Sequence, residues 1–194
     1  MHRQSLVIGT GAVADAVATG LAAQGWSVRR HGSATSADLS GDEELLAFVA
    51  PDSAADPASA FENICLAPAR LVEAMAARLS PPVSDDTGEL RASGQAVFIL
   101  AQTALVPGLG PDGSYGAQDA LLGWLRGAAL SLAPQMRLNA VACTPAAPAD
   151  LTQFLAWLLS AHVVTGQVLS LGTQPRLETP WRGAAQRNPA GVTD

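Results

Sequence analysis

Short apolar runs alternate with longer apolar or amphipathic stretches along most of the chain, and this alternation predicts its secondary structure. The short runs predict strands over residues 5–8, 26–30, 96–101, 137–143 and 167–171. The longer stretches predict helices over residues 12–24, 58–79, 115–133 and 149–160. Strands that alternate with helices favour a parallel sheet with helices on both faces. The sequence therefore predicts a single three-layer α/β domain with a mostly parallel sheet.

Other segments are harder to assign from their pattern. Residues 38–50 read either as a helix capped near Ser40 or as a loop followed by a strand, because periodicity does not decide in so short a run. Pro68 is expected to kink or split the helix around it. Residues 80–95 are predicted to be a polar loop, and residues 102–114 a loop rich in glycine and proline.

The helix predicted over residues 115–133 is unusually apolar, and its interior charges are Asp119 and Arg126. Its large apolar residues fall on more than one face at helical spacing: Leu121, Leu122, Trp124, Leu125, Leu130 and Leu132. A helix that is apolar nearly all round is buried on both sides. Because the sheet covers one side only, we expect a second subunit to cover the other. The composition agrees, since 48% hydrophobic and 14% charged residues leave few charges for a monomer surface.

Length, charge and cysteine content narrow the class of protein further. The 194 residues fit one domain, assigned to residues 1–172, followed by a polar tail over residues 173–194. A net charge of −6 argues against nucleic acid or an anionic membrane as a partner. No apolar run reaches membrane-spanning length, and the first strand leaves no room for a signal peptide. Cys65 and Cys143 show no metal-ligand spacing, so we expect reduced core cysteines, no metal and a cytoplasmic location.

A glycine-rich turn follows the first predicted strand and opens the first predicted helix. It runs from Gly9 through Gly11 to Ala14 and matches Gly-x-Gly-x-x-Ala, a dinucleotide fingerprint. The glycines let the backbone approach a pyrophosphate, and the helix presents its positive end. Arg29 and Arg30 stand where an acid would hold a ribose 2′-hydroxyl, which favours a 2′-phosphate and hence NADP(H). The alternatives are a tight turn without a ligand and two solvated arginines.

Four segments in this order and spacing resemble the short-chain dehydrogenase/reductase family. They are the glycine turn, Phe61–Ile64 with the helix after it, AVFILAQT with the later Tyr115, and RLNAVACTP with HVVTGQVLSLGT. The resemblance implies a Rossmann-like domain, truncated relative to typical members. The family's Asn-Asn-Ala-Gly motif is absent, and Thr144-Pro145 replaces its Pro-Gly turn. The substrate lid is nearly missing, because Ala149-Asp150 already starts the next helix.

The resemblance also assigns roles at a candidate active site. Tyr115 would act as the general acid or base, and Thr103 keeps a hydroxyl near the position of the family's serine. Asn63 would order a water in the proton relay, or it hydrogen-bonds to its own helix. The family's lysine, four residues after the tyrosine, is Asp119 here, and all 11 basic residues of the chain are arginines.

Replacing that lysine by Asp119 changes the electrostatics around the tyrosine. A tyrosine has a pKa of about 10 and needs a nearby cation to act near neutrality. Residues four apart share one helix face, so an ionised Asp119 would disfavour the tyrosinate. The alternative is an acid near a helix N-terminus that is stabilised by the helix dipole and has no functional role.

The function expected from these residues is that of a non-catalytic subunit. It would pair with an intact dehydrogenase in a hetero-oligomeric oxidoreductase, or otherwise with itself, through helix 115–133. One alternative is an NADP(H)-dependent oxidoreductase of altered chemistry that uses Tyr115 with Thr103 or Asn63. The other is a sensor that binds the dinucleotide without turnover. The cofactor is thus either none or NADP(H).

Overall fold

The computed structural model describes residues 3–51, 56–84, 88, 90–105, 113–143 and 148–171. Within them the strands are β1 (Gln4–Ile8), β2 (Ser27–His31), β3 (Glu43–Val49), β4 (Val83–Ser84), β5 (Leu90–Arg91), β6 (Gly94–Ala101), β7 (Met136–Cys143) and β8 (Val168–Leu171). The helices are α1 (Gly11–Ala23), α2 (Pro57–Ala60), α3 (Ala67–Ala76), α4 (Gly113–Leu132) and α5 (Pro148–Ser160).

The main sheet has six strands in the order β2-β1-β3-β6-β7-β8, and each neighbouring pair is parallel. The prediction of a single α/β domain with a parallel sheet is confirmed. The ambiguous segment 38–50 contains strand β3. It is a strand because it lies between β1 and β6, where both of its faces are covered, so apolar residues follow one another without a break.

The predicted helix over residues 58–79 is interrupted. Helix α2 continues into a π-helical segment, Phe61–Leu66, and α3 starts immediately after it with Pro68 in its first turn. Proline lacks a backbone N–H, and its ring crowds the carbonyl four residues earlier, so the turn before Pro68 cannot keep regular α-helical bonding. The sequence predicted an interruption at Pro68, and the irregular segment ends at Leu66, two residues before that proline.

The polar loop predicted over residues 80–95 also contains regular structure. Strands β4 and β5 form a two-residue antiparallel ladder in which Val83 pairs with Arg91 and Ser84 with Leu90. Strand β6 then begins at Gly94, two residues earlier than predicted. The alternation is too short here to show in the sequence pattern.

Two apolar cores lie on opposite faces of the sheet. Helices α1 and α5 cover one face, and α3 and α4 with the π-helical segment cover the other. Gly20 brings α1 close to α5, because a Cβ at this position would lie 2.3 Å from Cγ2 of Thr152. Cys65 and Cys143 are both buried thiols that form no disulfide, as predicted. Among the described residues, no helix is long and apolar enough to cross a bilayer.

Helix α4 turns its apolar residues towards the protein's own core. Leu121 and Leu125 are fully buried, and Trp124 packs edge-on against Phe98 with ring centroids 6.1 Å apart. The helix is covered on two sides because it packs against both the sheet and the π-helical segment. Among the large apolar residues of this helix whose side chains the structure describes, only Leu130 is exposed, at 83%. The argument that these residues require a second subunit was therefore wrong, and the partner itself stays a prediction.

A buried carboxylate, Glu43, organises the short connection between β2 and β3. It accepts hydrogen bonds from the backbone N and Oγ of Ser40, at 2.9 and 2.7 Å, and from the backbone N of Gly41 at 3.0 Å. It also pairs with the guanidinium of Arg29, which donates to the carbonyl of Asp38 as well. Burial alone would raise the pKa of Glu43, but these hydrogen bonds outweigh burial and lower the pKa to about 2.

A buried guanidinium, Arg137 on β7, ties the end of α5 to the sheet. It donates to the carbonyls of Leu158 at 3.5 Å, Leu159 at 3.1 Å and Val164 at 3.5 Å, and also to that of Ala161. The last carbonyls of a helix have no partners within the helix, and a cation there also complements the helix dipole. Burial lowers the pKa of Arg137.

Candidate functional site

A cleft of about 400 Å³ opens at the carboxyl ends of β1, β2 and β3. The chain runs from β1 to β2 on one side and later returns to β3 on the other, so β1 and β3 flank a topological switch point. Ligands of open parallel sheets bind at such points. The described residues that line the cleft are all neutral: Ile8, Gly9, Thr10, Gly32, Ser33, Ala34, Phe48, Val49, Pro51, Ser59 and Asn63.

Gly9 lines this cleft at a position that leaves no space for a side chain. Its φ is +132°, and a Cβ would lie 2.8 Å from the carbonyl oxygen of Val49 and 2.9 Å from the Cβ of Val49. Its backbone N donates to the carbonyl of His31 at 2.8 Å, which joins the ends of β1 and β2. The chain therefore crosses from β1 into α1 through a backbone that lies directly against β3.

Gly11, the first residue of α1, has a different environment. Its φ is +83°, and a Cβ there would meet nothing within 4 Å. Thr10 caps α1 in an extended conformation, and its side chain makes no capping hydrogen bond. The first amides of α1 thus lie next to Gly9 and Thr10, the two residues of this turn that line the cleft. Ala14 is fully buried beneath the turn and does not line the cleft.

Asn63 is on the π-helical segment and lines the same cleft as the glycine turn. Its Nδ2 donates to the carbonyl of Ser59 at 2.8 Å. Ser59 is held in turn by Asp56, which caps α2 and accepts from the backbone N and Oγ of Ser59 at 2.9 and 2.6 Å. Of the two interpretations left open for Asn63, the hydrogen bond to its own helix is present, and the side chain still lines the cleft.

Arg29 and Arg30 are both in ion pairs and do not line the cleft. Arg29 is held by the buried Glu43 at the opposite end of β3. The Nη2 of Arg30 lies 2.6 Å from Oδ1 of Asp15 on α1, and both side chains of this pair are about half exposed. The segment after β2 contributes Ser33 to the lining instead.

The remaining candidate residues follow β6 and begin α4. Thr103 lies in a short 3₁₀ turn after β6, and Tyr115 is in the first turn of α4; their side chains, like Thr144-Pro145 and the tail over residues 173–194, lie outside the described residues. Asp119 follows one turn after Tyr115 and is exposed. The structure thus brings Gly9 and Asn63 together in one cleft.

Sequence reasoning missed two buried glutamines beside this region. Oε1 of Gln118 on α4 accepts from the backbone N of Ala101 at 3.1 Å, and Gln118 is 1% exposed. Nε2 of Gln102 donates to Oγ of Ser170 on β8 at 3.3 Å. These bonds tie the carboxyl end of β6 to α4 and to β8. The sequence feature that could have pointed to Gln118 is a polar residue among the apolar residues of α4.

Among the described residues, no group of three or more histidine, cysteine, aspartate or glutamate side chains is arranged to hold a metal ion. A neutral cleft with a glycine turn at a helix N-terminus fits the pyrophosphate and adenosine portions of a dinucleotide. Among the described residues, those that line the cleft include no cation for a 2′-phosphate.

Comparisons with known proteins agree with this geometry. A family model described as short chain dehydrogenase-like protein matches residues 45–171, more than half of the chain. The match starts after the glycine turn and contains Asn63, Tyr115 and Asp119. A search of curated protein sequences gives no significant match.

Solved structures share the fold at low sequence identity. FolM alternative dihydrofolate reductase 1 from Brucella canis, complexed with NADP, is 20% identical with a TM-score of 0.69, over 93% of this chain and 97% of that chain. Acetoin dehydrogenase from Enterobacter cloacae is 16% identical with a TM-score of 0.71, over 93% of this chain and 99% of that chain. Identities this low show a common fold alone.

Proposed function

The chain belongs to the short chain dehydrogenase-like proteins, and from this premise we propose that it is a non-catalytic subunit of an oxidoreductase. It keeps the dinucleotide cleft of the fold and assembles through α4 with an intact dehydrogenase, or otherwise with a second copy of itself. In this assembly the chain supports the fold of the partner or completes the partner's substrate pocket.

The observation that carries this proposal is the exposed carboxylate at position 119. Asp119 lies one turn after Tyr115 on α4, where the family has a lysine. A cation there would favour the tyrosinate and bind the ribose hydroxyls, whereas a carboxylate disfavours the tyrosinate. No other residue supplies the missing ammonium, since the chain contains no lysine. Proton transfer through Tyr115 is therefore disfavoured at neutral pH.

The geometry supports a retained dinucleotide cleft more directly than it supports chemistry. Gly9 and Thr10 bring the backbone to the cleft, and Ser59 and Asn63 also line it. A dinucleotide would supply a hydride carrier if bound; the residues described here would hold its pyrophosphate and adenosine ribose. This favours the sensor as the second candidate function, because binding needs the cleft, and turnover also needs a cation near Tyr115.

The outer face of α4 supports assembly, although not for the reason that the apolar pattern suggested. This face comprises Gly116, Asp119, Gly123, Arg126, Gly127 and Leu130, all of which are exposed. A Cβ at any of its three glycines would meet nothing within 4 Å, so packing inside the chain does not require glycine there. Glycines on a helix surface allow close approach of another helix.

The charges on this face would be complementary if two copies of the helix paired. Asp119 and Arg126 are seven residues apart, with Gly123 between them. In an antiparallel pairing about a two-fold axis near Gly123, Asp119 of each copy meets Arg126 of the other. A partner dehydrogenase would need the same reciprocal arrangement on its equivalent helix.

Activity of the purified chain tests the catalytic half of the proposal. We expect no turnover of a panel of ketones and alcohols with NADPH or NADH, while NADPH still quenches or shifts the protein fluorescence. Asp119→Lys should give at most partial activity, because the substrate lid is also reduced. Robust turnover by the unaltered chain would show that it is an oxidoreductase of altered chemistry.

Assembly is tested at the outer face of α4. Gly123→Glu and Leu130→Glu should dissociate the complex and leave the circular dichroism unchanged, because both positions are exposed. Leu125→Glu is not a suitable test, because Leu125 is fully buried and its replacement should unfold the domain. Sedimentation of the chain alone and mixed with an intact dehydrogenase of the same host distinguishes self-pairing from hetero-pairing. A monomer in both samples would exclude assembly and favour the sensor.

A further inference from the structure

Two polar residues of the dinucleotide cleft, Ser59 and Asn63, follow β3 along the chain. In a dinucleotide-binding fold the pyrophosphate lies at the glycine turn, and the adenosine ribose lies near the end of the second strand. In this chain the residues at those places are Gly9 and, after β2, Ser33, and both line the cleft. The next group of the ligand is the base attached to that ribose, so the base is the part left for Ser59 and Asn63 to contact.

The direction of the Ser59 hydroxyl is fixed by Asp56. Oγ of Ser59 lies 2.6 Å from Oδ2 of Asp56, and the backbone N of Ser59 donates to Oδ1 at 2.9 Å. These hydrogen bonds from Ser59 lower the pKa of the Asp56 carboxyl, so the group is ionised at neutral pH and can only accept. The hydroxyl hydrogen of Ser59 is therefore donated to Asp56, and the remaining lone pair of Oγ is an acceptor.

The amide of Asn63 is oriented in a similar way. Its Nδ2 donates to the carbonyl of Ser59 at 2.8 Å, and a carbonyl can only accept, so this bond determines which end of the amide is Oδ1. Among the described residues, Oδ1 of Asn63 has no hydrogen-bond partner, whereas no fully buried side-chain nitrogen or oxygen is left unpaired. The oxygen is therefore accessible, and Asn63 offers an acceptor to a ligand in the cleft that it lines.

The rest of the described lining is mostly apolar and suits the faces of a planar base. Its apolar residues other than glycine are Ile8, Ala34, Phe48, Val49 and Pro51. Sites for small molecules are mostly apolar, and a few polar groups within them determine orientation and specificity. Ser59 and Asn63 have the position and the hydrogen-bonding capacity to be those groups for the base.

We propose that Asn63 and Ser59 select the base of the dinucleotide, with Oδ1 of Asn63 and Oγ of Ser59 as acceptors for the exocyclic amine of adenine. Adenine presents a donor at this position, whereas an oxopurine such as hypoxanthine or guanine presents an acceptor. An oxo group facing these two oxygens would leave polar atoms unpaired, which costs more than one hydrogen bond gains. The inference rests on the proposed function, because it requires that the cleft binds a dinucleotide.

Calorimetric titration of the full chain with NADPH and with its hypoxanthine analogue, which differs only at the exocyclic amine, tests the selection. The unaltered chain should bind NADPH about tenfold or more tightly than the analogue. Asn63→Ala should weaken NADPH binding about tenfold and leave the analogue nearly unchanged, so the preference disappears. Ser59→Ala should reduce the preference less. Thr10→Val is the matched control, because Thr10 lines the same cleft at the glycine turn and should change the binding of both ligands by the same factor.

The outcomes separate this inference from the proposed function. Equal binding of NADPH and the analogue by the unaltered chain would overturn the selection by Asn63 and leave the dinucleotide cleft in place, whereas no binding of either ligand would overturn both. A preference for NADPH that survives in Asn63→Ala, or equal weakening of both ligands, would also overturn it. Should Asn63→Ala unfold, Asn63→Ser decides, because a serine hydroxyl can still donate to the carbonyl of Ser59 while the amide oxygen is removed.

Discussion

The two ends of the main sheet are built from different chemistry. At the carboxyl end, the cleft beside the glycine turn is lined, among the described residues, by neutral side chains. At the amino end lie the buried charged residues Glu43 and Arg137. The charged groups of the amino end are on the strands themselves, since Glu43 begins β3 and Arg137 is on β7, whereas the turn at the carboxyl end follows a strand.

The comparison shows which parts of the chain carry stability and which carry ligand recognition. A buried ion needs several hydrogen-bond partners, and the amino end supplies them from backbone groups that would otherwise be unpaired. The carboxyl end keeps its backbone amides near a cleft, where a ligand can use them. Changes at Glu43 and Arg137 should therefore alter folding, whereas changes at the carboxyl end should alter binding as well.

Replacing Arg137 should have the largest effect on stability. Arg137→Met should lower the free energy of unfolding by about 4 kcal/mol, because several buried carbonyls at the end of α5 lose their donor. Urea unfolding followed by circular dichroism measures this. Arg126→Met, at an exposed arginine, should change the value by less than about 0.5 kcal/mol. Equal effects of the two variants would contradict the assigned role of Arg137.

Glu43 should make the stability depend on pH. Its folded pKa of about 2 lies below its ordinary value of 4.5, so its contribution is complete above pH 4.5 and is lost as the pH falls towards 2. At pH 7, Glu43→Gln should lower the free energy of unfolding by on the order of 3 kcal/mol. The difference between the two proteins should shrink through that pH range. The exposed neighbour gives the control, since Glu44→Gln should show neither effect.

At the carboxyl end, two glycines should differ in their tolerance of a side chain. Gly9→Ala combines a left-handed φ with a backbone clash against Val49, so it should cost about 2 kcal/mol or more and abolish NADPH binding. Gly11→Ala meets open space and should cost about 1 kcal/mol. Thermal unfolding and fluorescence titration measure the two quantities. Normal NADPH binding by the Gly9 variant would show that the glycine turn does not contribute to binding in the cleft.

The smallest expected effect is a difference in cofactor preference between variants of the two arginines of β2. Arg30 pairs with Asp15 at the surface, where an ion pair is worth ~0–1 kcal/mol, so its guanidinium is released easily. Arg30→Ala should lower the preference for NADPH over NADH about tenfold, whereas Arg29→Ala should change stability and leave the preference intact. Asp15→Asn should raise NADPH affinity by releasing Arg30. An unchanged preference in Arg30→Ala would remove both arginines from cofactor selection.

Most of the fold could be predicted from the sequence, and the failures have physical causes. The strands and helices followed from runs of apolar residues, because burial in a parallel sheet leaves a strong local pattern. Strand β3 stayed ambiguous because burial on both faces erases the alternation that marks a strand. The β4–β5 ladder was missed because strands of two residues are too short to show an alternation of apolar and polar positions.

The candidate site was predicted only in part. Gly9 was expected from the glycine turn and Asn63 from the resemblance to the family, and both line the cleft. Ser33 and Ser59 were missed, since a serine in a loop has no distinctive pattern and its place in the cleft depends on long-range packing. The partner of Arg29 could not be predicted either, because Glu43 is 14 residues away along the chain and joins it only when the short loop folds back.

The short connection from β2 to β3 also determines how the sheet ends. Among the described residues, β2 pairs with β1 alone, so one side of β2 is a sheet edge. Unpaired edges invite strand-to-strand aggregation, and charged side chains on the edge oppose it. Arg29 and Arg30 place charged side chains on this edge strand, each in an ion pair. Because charged groups on an edge strand oppose the addition of a further strand, we expect the two arginines to disfavour self-association through β2.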